Sequence, residues 1–294
     1  MENPIVLGVD IGGSHITAAL VNLKTKQILG ETLLRDHVNS KDSATEIISV
    51  WTRVMQTVFD NAGVTDKKIG VAMPNPFDYE EGISLMQNQD KYDALYGYNI
   101  RNILAENLGI DKNSIKFMND AECFLKGEVF GGIAMDLDRV IGLTLGTGLG
   151  SSKYSDGLVE DADLWNSPFR DSIAEEYIST RWFTKRYHEI TGKHISNVKQ
   201  LIDMENTEDI RDQIFNEFGR NIALFLNSFI DDVRPQAIIL GGNIANAYEL
   251  FSESLHHNLT VFPFPFQIHK TQLGEDACLI GAASTWHKNE VEVI

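Results

Sequence analysis

The chain is poor in cysteine, in positive charge and in long apolar runs, and each shortage closes off a class of protein. Only two cysteines, Cys123 and Cys278, occur in 294 residues. They are too few and too widely spaced for a disulfide framework or a thiolate zinc cage, and they fit a reducing compartment. Lysine and arginine number 25 against 42 aspartates and glutamates, a formal net charge of −17. Such a surface repels phosphate backbones and anionic headgroups at long range, so no nucleic-acid or membrane-surface role is expected. A small phosphate ligand stays compatible, because backbone N–H groups bind one locally whatever the global charge. No stretch approaches the ~20 apolar residues that span a bilayer. Residues 1–7 have neither a basic segment nor an apolar run long enough for a secretory signal. Together these shortages predict a cytoplasmic protein.

What is present is a composition of 43% hydrophobic and 23% charged residues, that of a globular chain long enough for one large or two ordinary domains. Residues 5–9, 16–22 and 27–34 read as a strand meander. Helical spacing of Ile47, Ile48, Trp51, Met55, Val58, Phe59 and Ala62 predicts a helix over 43–62, closed by Gly63. A strand over 68–73 follows, then a long connection over 74–98 of the kind that is usually functional. A helix near 100–108, a strand over 115–118 and a helix over 121–130 come next. The pattern then restarts with strands at 139–145 and 151–154, helices dominating 173–231, a strand at 237–240, a helix from 244, a strand at 266–271 and a closing helix over 276–288. Both halves therefore carry a strand, a glycine turn and a returning strand, which predicts two α/β lobes across a cleft, divided somewhere in 118–136.

Three glycine clusters stand at strand ends: Gly12-Gly13-Ser14 after Asp10, Gly146-Thr147-Gly148, and Gly241-Gly242-Asn243. Glycine lets the backbone approach a phosphate and aim bare N–H groups at its oxygens. Any one cluster alone reads more simply as a tight turn. None has the P-loop or dinucleotide spacing. Asn119-Asp120 follows a strand and opens a helix, so either residue serves as a cap or, for Asp120, as a general base on a hydroxyl.

In order and spacing, residues 8–14, Asn119-Asp120-Ala121 with Gly127-Glu128, residues 145–150 and residues 240–243 resemble the ROK sugar kinases of the actin/hexokinase/Hsp70-like superfamily. The resemblance spans nearly the whole chain. It implies an α/β fold of two actin-like (ribonuclease H-like) lobes, mixed sheets flanked by helices, with an N-terminal lobe over 1–118 and a C-terminal lobe over 119–275. A closing helix over about 276–294 would pack back on the first lobe. It further implies ATP and Mg²⁺, with Asp10 holding the metal through water and Gly12, Gly13 and Ser14 near the transferring phosphoryl group. Gly146, Thr147 and Gly148 would cradle the nucleotide phosphates, while Gly241, Gly242 and Asn243 border the adenosine. Asp120 would be the base on the sugar hydroxyl, O6 in hexose relatives, with Asn119 binding the sugar. Relatives are commonly dimers or tetramers, and a homodimer is the favoured assembly.

The chain also departs from the family. The Glu-x-Gly-His sugar motif maps onto residues 163–166, leaving Asp163 and Asn166 as its polar ligands. The zinc motif maps onto residues 172–175, which keep Glu175 and lose the cysteine. No Cys or His lies in 166–187, so structural zinc is not expected. Here, and at Asn88-Gln89-Asp90-Lys91, the chain resembles a zinc-free branch that includes polyphosphate glucokinases. The Pro-Gly of the sugar loop becomes Pro74-Asn75-Pro76, adding Asn75 and Asn88 to the candidate sugar ligands. Tyr92, Tyr96 and Tyr98 stack on a sugar or pack the loop. His188 and His194 read as solvated, and the phenylalanines at 262, 264 and 266 as a rigid buried loop.

These readings predict ATP-dependent phosphorylation of a hexose or N-acetylhexosamine. A sugar- or nucleotide-binding regulator without turnover is the competing class, favoured by the altered pair Asp163/Asn166. A helix-turn-helix repressor lacks room ahead of Asp10, and polyphosphate as donor lacks a basic track.

Overall fold

Residues 5–11 carry apolar side chains on both faces, as a strand covered on both sides requires. In the computed structural model, which describes residues 4–88 and 91–287, they form β1 (Ile5–Ile11) at the middle of a sheet. Strand β2 (His15–Asn22) returns antiparallel, with Asp10 opposite Thr17. The third strand expected over 27–34 is broken in two, β3 (Gln27–Ile28) and β4 (Leu34–His37), around a 3-10 turn. Thr32 makes the break: its hydroxyl donates to the Leu29 carbonyl at 2.7 Å and accepts the Leu20 N–H at 3.1 Å, replacing ladder bonds.

Helix α1 (Ala44–Ala62) starts at a reciprocal Ser43/Glu46 capping box and buries Ile47, Trp51, Met55 and Phe59. Strand β5 (Ile69–Met73) pairs parallel with β1. The hairpin β6 (Phe77–Asp78) and β7 (Ile83–Ser84) occupies the long connection before α2 (Ile100–Leu108). Strand β8 (Ile115–Asn119) pairs parallel with β5 and runs straight into α3 (Asp120–Gly131).

The pattern repeats. Strands β9 (Val140–Leu145), β10 (Leu149–Ser155) and β11 (Leu158–Asp161) form an antiparallel meander. The small hairpin β12 (Pro168–Phe169) and β13 (Ser172–Ile173) precedes α4 (Thr180–Thr191), α5 (Val198–Asp203) and α6 (Glu208–Val233), so helix begins seven residues later than 173. Strand β14 (Ala237–Gly241), a 3-10 turn over 243–247 in place of the first helical turn expected from 244, α7 (Tyr248–Asn258) and β15 (Gln267–Lys270) follow. The two sheets read β3-β2-β1-β5-β8 and β11-β10-β9-β14-β15. In the first, β4 also pairs with β2, and β1 pairs antiparallel with β2 and parallel with β5; in the second, β9 likewise pairs antiparallel with β10 and parallel with β14.

Residues 1–135 with 275–294 form one compact unit, and 136–274 another. The expected division at 118/119 falls ahead of α3, which sits in the first unit. Packing is the reason: α3 lies on the closing helix α8 (Asp276–Ser284), and a β-carbon on Gly127 would run into the Ala277 carbonyl. Glycines 8 and 70 admit the same helix against β1 and β5. Residues 288–294 of the expected closing helix lie outside the described residues. The second unit's core centres on packed rings, with Phe183–Phe218 tilted at 4.6 Å and Phe218–Phe251 edge-on at 5.3 Å between centroids. Such pairs add about 0.5–1.5 kcal/mol each beyond their buried area. The rings of Phe262, Phe264 and Phe266 touch one another and are half-buried against this core. His188 and His194 are both exposed, as expected, and stack on one another at 4.3 Å.

Candidate active site

Parallel register in the first unit aligns Asp10 with Ala72, Ala72 with Met118, and Met73 with Asn119. Asp10, the segment after Met73 and the pair Asn119-Asp120 therefore share the carboxyl end of one sheet, where ligands bind in α/β proteins. Asn119 is the helix cap: its Oδ1 accepts N–H bonds from Ala121 at 2.8 Å and Glu122 at 3.2 Å. Capping thus falls to Asn119, and Asp120 stands at the first helical position with a single local bond, from the Ala121 N–H at 2.9 Å.

Both carboxyls are hard to ionise. Protein atoms crowd half-buried Asp10 and push it up to about 7, assisted by the negative charge of Asp120 and resisted by Arg35. Burial likewise raises Asp120 above the usual carboxylate range, opposed first by the ammonium of Lys91. Lys91 crosses the glycine turn, its Cδ 4.0 Å from where a β-carbon of Gly13 would sit. Tyr92 holds it there. The Tyr92 hydroxyl donates to the Gly12 carbonyl at 2.6 Å, its N–H donates to Ser40 O at 2.8 Å, and its fully buried ring meets Trp51 edge-on. Tyr92 thus packs the loop, whereas Tyr96 and Tyr98 are about half exposed, at 51% and 46%. The Ser14 hydroxyl bonds the His15 ring at 2.9 Å.

A second network joins two candidate sugar ligands. The Tyr79 hydroxyl lies 2.8 Å from Asn75 Oδ1, 2.9 Å from the Met73 carbonyl and 3.3 Å from Asn119 Nδ2. Pattern reading misses Tyr79, since nothing in its local sequence signals a contact to a strand end forty residues on. Asn75 precedes Pro76 through a cis peptide. Asn88 is exposed with φ +57, and its neighbours Gln89 and Asp90 lie outside the described residues. The two cysteines, far apart in sequence, meet in a small cluster with Ala72 and Ala282, and burial pushes both thiols up, so they are inert.

In the second unit, parallel pairing sets Thr144 beside Gly241. The Gly146 and Gly241 turns consequently emerge side by side at the carboxyl ends of adjacent strands. Gly242, at φ +81, lies so close to the Leu145 backbone that a β-carbon would collide with it. The Gly146 carbonyl accepts both the N–H (2.8 Å) and the hydroxyl (2.9 Å) of Thr180 at the start of α4, which fixes the first turn. The space beside Gly146 is open, and Thr147 and Asn243 are exposed.

The residues mapped from the altered motifs also gather here. The segment 163–167 is zipped to 174–175 by bonds from Glu175 N to Trp165 O (2.9 Å) and from Ala174 N to Ser167 O (3.0 Å). Asp163, at φ +49, accepts the Trp165 indole N–H at 2.8 Å, and Asn166 is exposed. Glu175 is engaged on both oxygens: Oε2 accepts the Leu149 N–H at 3.1 Å and Oε1 pairs with Arg181 at 2.8 Å. Its carboxylate presses on Gly148, bracing the glycine turn.

Among the described residues, no group of three or more His, Cys, Asp or Glu is arranged to hold a metal ion. Asp10, whose ionisation is made costlier by burial and by the nearby charge of Asp120, suits a hard divalent cation held by few protein oxygens and completed by water and phosphate.

The ROK family profile matches residues 6–160 and 170–289. The chain is 24% identical to a glucokinase of Thermotoga maritima, covering 95% of this chain and 96% of that one. It is 26% identical to an N-acetyl-D-glucosamine kinase of Histophilus somni, covering 94% and 97%. A ROK glucokinase of Streptomyces griseus, solved with glucose and AMPPNP, superposes with a TM-score of 0.77 at 20% identity over 96% of this chain and 98% of that one. That likeness shows the actin-like α/β fold. With the profile spanning almost all of its length, the chain belongs to the ROK family.

Proposed function

We propose that the protein transfers the γ-phosphoryl group of ATP to a hydroxyl of a hexose or N-acetylhexosamine, with Asp120 as general base. The observation that carries this reading is the division of labour at the start of α3. Asn119 supplies the cap, so the raised carboxyl of Asp120 is spared for chemistry at the same sheet end as Asp10. A base whose pKa is lifted toward neutrality matches the proton it must accept, a contribution of about 10²–10⁴ in rate. Support for the substrate class comes from the relatives, a glucokinase and an N-acetyl-D-glucosamine kinase.

In this reading Asp120 takes the proton of the attacking hydroxyl, and Asn119 and Asn75, tied through Tyr79, orient the sugar. Asp163 and Asn166 contribute further sugar contacts, and Asn88 borders the same substrate. Lys91 over Gly13 counters negative charge on the transferring group and keeps Asp120 ionised. N–H groups of Gly12, Gly13 and Ser14 and of Gly146, Thr147 and Gly148 bind phosphate oxygens, and Gly241, Gly242 and Asn243 border the adenosine. Asp10 is the residue that would hold Mg²⁺, which when bound neutralises charge on the phosphates. The enzyme works in the cytoplasm as a homodimer, a state that light scattering reads directly.

The test is ADP release over a panel of hexoses and N-acetylhexosamines. Turnover of at least one sugar is expected, abolished in Asp120→Asn with nucleotide binding retained. Full turnover in that variant removes Asp120 from the role, and no turnover of any sugar favours the regulator.

A further inference from the structure

The second unit holds a cleft that the reading above leaves unused. Its floor is the two-residue turn Arg170-Asp171 between β12 and β13, and its walls are facing sides of α4 (Lys185, Arg186) and α6 (Arg220, Asn221). Its volume is about 540 Å³. Four acids line it, and each already has a donor. Arg186 bonds both oxygens of Glu217 at 2.7 and 2.9 Å and reaches Glu189 at 3.1 Å. Arg181 pairs with Glu176 at 2.7 Å, and the Tyr177 hydroxyl donates to Asp171 and holds that carboxyl low.

Three cations remain. Among the described residues, Arg170, Lys185 and Arg220 make no hydrogen bond or ion pair to a carboxylate, although Lys185 and Arg170 lie near enough to Asp171, and Arg220 to Glu217, to favour the charged form of those acids. In a chain of net charge −17, a cavity whose four cations balance its four acids, with three of those cations making no direct bond to a carboxylate, is a local exception. Arg170 is also held in an awkward place. Its φ is +55, a left-handed conformation that strains a side chain and that glycine adopts freely. Its guanidinium is nonetheless pinned: Nη2 donates to Oδ1 of Asn221, 4% exposed, at 2.9 Å. The face of the group lies 5.6 Å from the Tyr177 ring and 5.7 Å from the Phe169 ring. One N–H of five is spent, and the others form a pre-set fork of the kind that grips oxyanions in pairs.

We propose that this cleft binds the phosphate group of a small anionic ligand, forked by Arg170 and flanked by Lys185 and Arg220. The cavity has room for a phosphate ester the size of a sugar phosphate as well as for free phosphate. None of the residues that line it belongs to the glycine turns.

The test uses the full chain at fixed ionic strength, titrated with inorganic phosphate and separately with a hexose 6-phosphate, read by calorimetry and by Tm. Saturable binding with a rise in Tm is expected. It should weaken at least tenfold in Arg170→Gly, whose ligand-free Tm holds or rises because glycine relaxes the turn, and equally in the exposed variant Arg220→Gln. Turnover without phosphate should be unchanged in both, and Asp10→Asn should keep the binding. Tighter binding of the hexose 6-phosphate identifies an ester as occupant, and equal binding identifies phosphate itself. Binding unchanged in both arginine variants, lost in Asp10→Asn, or reproduced by chloride overturns the proposal.

Discussion

Asp10 is the residue where charge and stability are most directly linked. Folding raises its carboxyl from 3.8 to about 7, so the folded state binds the extra proton between those values and stability falls as pH rises through that window. Below pH 4 both states are protonated and the cost vanishes. Asp10→Asn is therefore expected to be more stable than the parent at pH 8, by up to about 4 kcal/mol from the full shift, and nearly equal to it at pH 4. Urea unfolding at the two pH values measures this, and an equal difference at both would remove the burial argument. Lys91 acts the other way on Asp120, holding its pKa down. In Lys91→Met the acid limb of the kcat profile should move to higher pH, with kcat lower by about tenfold or more; a drop in kcat with the limb unmoved would make Lys91 a packing residue only.

At the scale of elements, one helix contact organises the end of the first unit that carries Asp120. The backbone of α3 reaches α8 only because neither Gly127 nor the facing Gly281 has a side chain. Gly127→Val should push the helices apart, shift the start of α3 that carries Asp120, and cost about 2–4 kcal/mol as an overpacked core does. Denaturation curves check the cost, and a neutral result would mean the helices part easily. Elements with local signals are well read from sequence alone. Helix α1 has its capping box, its apolar stripe and Gly63, and α2 has Asn99 and Gly109 as its caps. The strand over 27–34 is misread because a hydroxyl on Thr32 outcompetes the ladder, and the late start of α4 because residues 168–173 pair with each other first. Both depend on partners that a window of sequence does not contain.

At the scale of the molecule, the chain leaves the first unit at 135 and returns to it at 275. The second unit is continuous and closes its own apolar core, from Ile141 to Ile268. A fragment over 136–274 should fold cooperatively on its own, whereas 1–135 should not, lacking the α8 that fills the sheet face at Gly8 and Gly70. Circular dichroism melts of the two fragments decide it, and a cooperative melt for 1–135 would show the closing helix to be dispensable. The division itself was legible only to within the interval 118–136, since which helices share a core is a question of packing rather than of pattern.

By itself the sequence determined the strand-end glycine turns, Asp10 and Asp120, and with them the family. These follow from local backbone demands: a turn needs glycine, a helix start needs a cap, a buried strand needs an apolar run. Only the tertiary structure decided that Asn119 does the capping, that Tyr79 ties Asn75 to Asn119, that Lys91 lies over Gly13, and that Glu175 braces the Gly148 turn. Each of those contacts except the cap joins residues more than one element apart or across a loop. Strand register and helix packing bring them within hydrogen-bonding reach, and both are set by the summed burial of the whole chain.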